Sequence, residues 1–132
     1  MTTALIADDE PHLAEYLREL LAALWPALRI VDVARNGVEA AERIARLAPD
    51  LAFLDIKMPG LSGLQVAQGI EGRTRVVFVT AYDEFAVQAF EQAALDYVLK
   101  PVTQERLART VARLQSALAP ADDDARLAAV LQ

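Results

Sequence analysis

The chain reads as an α/β protein built on a doubly wound, five-stranded parallel sheet. Three observations carry that reading. Five short apolar runs recur along 132 residues, at Ala4–Ala7, Arg29–Ala34, Leu51–Leu54, Arg75–Thr80 and Asp96–Leu99. Each is followed by a segment whose apolar residues repeat with helical spacing. The runs are near-continuous rather than alternating, as in strands buried on both faces, and right-handed β-then-α units cover such a sheet with helices on both sides. A length of 132 residues suits one domain with a core of its own.

Taken in order, the first strand stops at Asp8-Asp9-Glu10, and Pro11 suits a first helical position with Asp9 or Glu10 at the cap. Leu13, Tyr16, Leu17, Leu20, Leu21 and Leu24 then share one helical face, until Trp25-Pro26 ends the helix. After the second strand, Asn36-Gly37 is a turn, and Val38, Ala41, Ile44 and Ala45 mark a helix stopped near Pro49. A weaker helix, Leu64 to about Ile70, follows the third strand and is frayed by Gly69 and Gly72. The fourth strand leads to a short helix over about Glu84–Gln92, with Ala86, Ala89, Phe90 and Ala93 on one face. The last helix starts near Thr103 and carries Leu107, Val111, Leu114 and Leu118 on one side. Residues 1–118 thus form the folded unit. Ala119–Asp124 reads as an acidic linker and Ala125–Gln132 as a helix fragment with little to pack against, so the chain reads as one cut from something longer.

Composition narrows the function classes. Hydrophobic residues make up 55% of the chain, which disfavours disorder, yet no apolar run approaches the length of a membrane span. Asp8-Asp9-Glu10 is incompatible with a signal peptide at the start, and the absence of cysteine removes disulfides and thiolate metal sites, so a cytoplasmic location is expected. A net charge of −6 argues against nucleic-acid binding by this segment. Of thirteen basic residues only Lys57 and Lys100 are lysines.

The chemistry concentrates at strand ends. In LAFLDIKMPGLSG (Leu51–Gly63) the third strand stops at Asp55 and is followed by the breakers Pro59-Gly60 and Ser62-Gly63. In an open α/β sheet, ligands bind outside the carboxyl ends of the strands. If the first and third strands are neighbours, Asp8, Asp9 and Asp55 meet there. At ~4 Å and an effective dielectric near 20, each fully ionised pair costs about 4 kcal/mol. Either one carboxyl stays protonated or a cation neutralises the cluster, and all-oxygen ligands with room for water favour Mg²⁺ over Ca²⁺. The plainer reading is that Asp8-Asp9-Glu10 caps the first helix, but capping needs one acid. Thr80 and the small Ala81 close the fourth strand and Lys100 closes the fifth, with Lys100-Pro101 admitting a cis bond. A hydroxyl, a backbone N–H and an ammonium suit the negative charge of a transferring phosphoryl group.

Asp8-Asp9 after the first strand, Asp55 followed by Pro59-Gly60, then Thr80-Ala81, Tyr97 and Lys100-Pro101 together resemble the receiver domain of two-component response regulators. The match runs from about Ala4 to Leu118. Within that family, Thr80–Val102 (TAYDEFAVQAFEQAALDYVLKPV) is similar to regulators with a LytTR-type DNA-binding output domain. The resemblance implies the flavodoxin-like (βα)5 fold with strand order 2-1-3-4-5. It also implies that Asp55 accepts a phosphoryl group from a sensor histidine kinase. Asp9 would bind Mg²⁺ directly, Asp8 through water, and the backbone carbonyl of Lys57 would complete the protein ligands together with Asp55. Thr80, the Ala81 N–H and Lys100 would hold phosphoryl oxygens, with Thr80 and Tyr97 as the switch pair. Lys57 and Tyr82, two residues beyond Asp55 and Thr80, flank the path of attacking water in such domains and would tune the lifetime of the acyl phosphate.

The resemblance further implies an output face made of the fourth helix, the fifth strand and the fifth helix, used for a homodimer on activation. Phe85 or Val87, Asp96, Arg106, Arg109 and Arg113 would lie on it. The arginines recur at i, i+3 and i+7 as a stripe able to meet Asp96 or Glu91 across a two-fold axis, or, more plainly, to be a solvated helix face. DNA would be bound by a domain beyond this segment. Two other functions fit less well. An Asp-nucleophile, Mg²⁺-dependent phosphatase places a second Asp two residues after the nucleophile, where this chain has Lys57. A receiver-like interaction module that works without phosphorylation has no need of the full acceptor set. His12, Trp25 and Asp122–Asp124 are read as a solvated residue, a packing residue and a solvated linker.

Overall fold

The computed structural model describes residues 1–118. Five strands, β1 (Thr3–Ala7), β2 (Arg29–Ala34), β3 (Leu51–Leu54), β4 (Arg75–Thr80) and β5 (Asp96–Leu99), form one parallel sheet in the order β2-β1-β3-β4-β5. The helices are α1 (Pro11–Leu24), α2 (Gly37–Leu47), α3 (Gly63–Gln68), α4 (Ala86–Glu91) and α5 (Gln104–Ala117). Direction along the sheet reverses between β1 and β3, so the carboxyl ends of those two strands flank the switch point.

Side chains alternate across the sheet and build two cores. One face places Ala4, Ile6, Phe53, Val77 and Val79 against Ala14, Leu17 and Leu21 of α1 and Leu107, Val111 and Leu114 of α5. The other places Leu5, Ala7, Ala52, Leu54, Val76 and Phe78 against α2, α3 and Ala89 of α4. All four residues of β3 are at most 1% exposed, which is why the run is apolar throughout rather than alternating. Burying each large side chain contributes about 1.5–3 kcal/mol.

Helix boundaries follow local chemistry. Glu10 caps α1 through its side chain to the His12 N–H, with Pro11 in the first turn. Asn36 caps α2, Ser62 and Gln65 form a reciprocal capping box on α3, and Thr103 caps α5. Ala48, left-handed at φ 45°, stops α2 just before Pro49. Trp25 is packed in the α1–α5 core, and His12 is exposed.

Two expectations need correction. The apolar stripe of α1 is narrower than its periodicity suggests: Leu17 and Leu21 are buried, but Leu13 and Tyr16 are 41% and 44% exposed. Helix α4 is shorter than Glu84–Gln92 and has no side-chain cap; only Ala89 of its residues is buried, while Phe90 faces solvent at 67% exposure. Six residues cannot bury the wide face assigned to them. The linker and helix fragment expected over 119–132 lie outside the described residues. Among the described residues, no helix is long and apolar enough to cross a membrane.

Candidate functional site

The site sits where β1 and β3 end. Asp55 is fixed by its own N–H to the Ala7 carbonyl (3.0 Å), and Asp8 by its N–H to the Ala34 carbonyl (3.1 Å). One oxygen of each carboxylate accepts a nearby backbone N–H: Asp55 Oδ1 from Ile56 at 2.7 Å and Asp8 Oδ1 from Glu10 at 2.9 Å. The other oxygen of each is taken by Lys100, whose Nζ lies 2.7 Å from Asp8 Oδ2 and 2.8 Å from Asp55 Oδ2. All three side chains are nearly closed to solvent, at 12% or less. Asp9 is exposed beside them, and Asp8, Asp9 and Asp55 each offer a carboxylate oxygen within 4.8 Å of the others.

Burial acts on both Asp8 and Lys100 but decides the outcome only for Asp8. It pushes the Asp8 carboxyl above the ordinary range, more than the hydrogen bonds from Lys100 and Glu10 pull it down. For Lys100, burial alone would disfavour the ammonium, but the hydrogen bonds to Asp55 and Asp8 outweigh it and raise the pKa. One ammonium offsets one of three carboxylates. The remaining negative charge, carried by hard oxygen donors with the exposed Asp9 open to water, fits a hard divalent cation of the Mg²⁺ kind.

The remaining site residues come from β4, β5 and the loops after them. Thr80 is fully buried, and its hydroxyl accepts from the Tyr82 N–H at 3.4 Å. Ala81 opens the loop and is exposed. The Tyr97 hydroxyl donates to the Tyr82 carbonyl, and its ring lies 6.3 Å from that of Phe78. Burial, with the negative charges of Asp83, Glu84 and Asp55, raises the Tyr97 pKa. Lys57 is exposed after β3 and lays its ammonium 4.1 Å from the Tyr82 ring centre and 5.9 Å from that of Phe85. This contact joins the loop after β3 to the loop after β4. The Lys100–Pro101 peptide is cis.

The expected output face is arranged differently from the simple stripe. Asp96 is 6% exposed rather than an open acid. Within the same chain it accepts from Thr110 Oγ1 at 2.8 Å, pairs with Arg106 Nη2 at 3.2 Å and with Arg113 Nη1 at 3.2 Å. Burial would raise this carboxyl, but the bonds from Arg106 and Thr110 hold it below the ordinary value. Two of the three arginines are therefore spent inside the domain, and Arg109 is exposed with no ion pair among the described residues. Val87 and Phe90 of α4 and Leu99 of β5 are exposed, at 71%, 67% and 44%. The Asp96–Arg106–Thr110 bracket and the Lys57–Tyr82 contact escaped sequence reasoning. The i, i+4 spacing of Arg106 and Thr110 was a signal, but nothing local tied it to Asp96.

The sequence matches the response regulator receiver domain family over residues 4–112. The chain belongs to that family. The receiver domain is 49% identical over 132 residues to an uncharacterized response regulatory protein of Vibrio cholerae, covering 95% of this chain and 51% of that protein. It is 44% identical over 117 residues to the transcriptional regulatory protein BtsR of Escherichia coli, covering 87% of this chain and 48% of BtsR. The chain thus spans about half the length of the curated relatives it matches. Among solved structures, the REC domain of AraT, a response regulator from Geobacillus stearothermophilus, superposes with a TM-score of 0.83 at 32% identity, over 92% of this chain and 98% of that one. The response regulatory domain of mrkE from Klebsiella pneumoniae gives 0.82 at 31% identity, over 88% and 97%. The receiver fold with its 2-1-3-4-5 sheet is thereby shared with domains of known structure.

Proposed function

We propose that Asp55 accepts a phosphoryl group from a phosphohistidine of a sensor histidine kinase, with Mg²⁺ held by Asp55, Asp9 and the Lys57 carbonyl, and by Asp8 through water. The observation that carries this reading is the buried Asp8–Lys100–Asp55 bridge with Asp9 open beside it. A carboxylate oxygen of Asp55 forms the new bond to phosphorus as the P–N bond breaks, and the imidazole leaves with that electron pair. Mg²⁺, when bound, offsets the charge of the incoming group. Lys100, already within 2.8 Å of Asp55, takes one phosphoryl oxygen, and the Thr80 hydroxyl and Ala81 N–H take others. Movement of Thr80 toward the phosphoryl group vacates space for the Tyr97 ring, and the neighbouring surface re-forms.

Residues 1–118 act as the receiver unit and 119–132 as a linker toward an output domain that controls transcription in the cytoplasm. The twofold greater length of the relatives, and the description of BtsR as a transcriptional regulatory protein, support this part of the reading. A LytTR-type output is supported by the Thr80–Val102 stretch; the names of the relatives specify no output class, and one solved neighbour is a LuxR-family regulator from Staphylococcus aureus. Incubation with acetyl phosphate and Mg²⁺, read by mass spectrometry, separates the functions. A stoichiometric label supports the acceptor, multiple turnover a phosphatase, and no label a binding module.

The Lys57–Tyr82 contact gives a second expected result. In this reading the ring and ammonium, 4.1 Å apart, flank the approach of the water that attacks the acyl phosphate. Changing both residues to Ala should speed autodephosphorylation by about threefold or more with Mg²⁺ affinity nearly unchanged, since a cation–π contact at an exposed site contributes ~0.5–1 kcal/mol. An unaltered decay of the label would count against this role.

The homodimer on the α4–β5–α5 face now rests on Val87, Phe90, Leu99 and Arg109, because Asp96 is engaged within the chain. Beryllofluoride with Mg²⁺ should raise the sedimentation mass, and Arg109→Glu should lower it again. A monomer under both conditions, well above micromolar concentration, would remove the dimer.

A further inference from the structure

β5 is an edge strand, and its outer side carries the residue expected to turn on activation. The Lys100 N–H reaches the Thr80 carbonyl at 2.9 Å. In a parallel ladder every second residue faces the partner strand, so Val98 and Lys100 face β4 while Tyr97 turns its N–H and C=O outward. An outward edge usually offers such groups to water or to another chain. Here both are taken by side chains: the Tyr97 N–H donates to Asp96 Oδ1 at 2.8 Å, and the Tyr97 carbonyl accepts from Arg106 Nη2 at 3.1 Å. Arg106 is itself braced, with Nη1 donating to Thr110 Oγ1 at 2.7 Å and Nη2 lying 3.2 Å from Asp96 Oδ1. The guanidinium thus spans β5 and α5, and the carboxylate it grips is buried.

The bracket touches only the backbone of Tyr97. The side chain is held elsewhere, by its hydroxyl to the Tyr82 carbonyl, in the same loop whose Tyr82 N–H donates to Thr80. We infer that Arg106, seated on Asp96 and Thr110, is a positioning residue that anchors the Tyr97 backbone so that its ring can turn without the strand moving with it. This inference rests on the reading of Thr80 and Tyr97 as a switch pair. With both outward polar groups of Tyr97 fixed, displacement of Thr80 is converted into rotation about the side chain. With them released, the same displacement is absorbed by movement of an edge strand. The bracket also occupies both outward polar groups of Tyr97, so at this residue the β5 edge offers no free backbone group to an added strand.

The test is the affinity of the 132-residue chain for beryllofluoride at saturating Mg²⁺, set beside its affinity for Mg²⁺ alone. Arg106→Met keeps the packing stem and removes the guanidinium. It should weaken beryllofluoride binding by about threefold or more, with Mg²⁺ affinity unchanged. Arg113→Met, which takes a cation from Asp96 but leaves the Tyr97 carbonyl its donor, should change neither. In a Tyr97→Ala background the effect of Arg106→Met should vanish, a dependence that loss of general stability would not produce. Amide exchange should confirm that Arg106→Met remains folded, with faster exchange confined to the end of β5. Beryllofluoride affinity unchanged by Arg106→Met, or weakened equally with and without the Tyr97 ring, would overturn the anchor and leave the acceptor reading standing. A native chain that binds no beryllofluoride would overturn the acceptor reading and the anchor with it.

Discussion

Asp55→Asn should reduce labelling by acetyl phosphate and Mg²⁺ below ~1% of the native chain, because an amide cannot supply the anionic oxygen that forms the bond to phosphorus. The protein should stay folded: the substitution removes one of three crowded carboxylates and leaves Lys100 its partner at Asp8, 2.7 Å away. Asp9→Ala should weaken Mg²⁺ binding by about tenfold or more, and Asp8→Ala less, since Asp8 acts through water in the proposed arrangement. Mass spectrometry on trypsin fragments checks the first result and calorimetric titration the second. Full labelling of Asp55→Asn at the native rate would mean that another residue is the acceptor.

Gly63→Ala should lower stability by about 3 kcal/mol and the melting temperature by about 10 °C. A Cβ on Gly63 would stand 2.1 Å from the Asp55 carbonyl oxygen and 2.9 Å from its carbon. Those are backbone atoms, so relief requires movement of the chain that carries the acceptor. Gly63 also donates its N–H to the Ile56 carbonyl at 2.7 Å, which draws the start of α3 against the end of β3. Slower labelling should therefore accompany the lower melting temperature. A melting temperature within about 2 °C of the native value would show that the loop relaxes easily, contrary to the tight backbone contact.

Local physics accounts for what could be read from the chain alone. β2, β3, β4 and β5 have the bounds that the apolar runs and their breakers predict, and β1 begins one residue earlier, at Thr3. The caps at Asn36 and Thr103 and the stop at Pro49 are likewise signals confined to a few neighbouring residues. The motif residues Asp8, Asp9, Asp55, Thr80 and Lys100 are legible because each ends a strand or follows its end within two residues, and parallel strands bring their ends to one edge. What tertiary structure decided is how those ends meet. Lys100 bridges Asp8 and Asp55 across 92 and 45 residues of chain, a contact no local pattern encodes. The same holds for Lys57 on Tyr82 and for Asp96, whose period-two position marks a strand residue but whose burial depends on Arg106 and Thr110 arriving from α5. Helix α4 departs from its sequence pattern for a related reason: periodicity reveals a face, but only the packed neighbours determine how much of it is covered, and here they cover Ala89 and leave Phe90 in solvent.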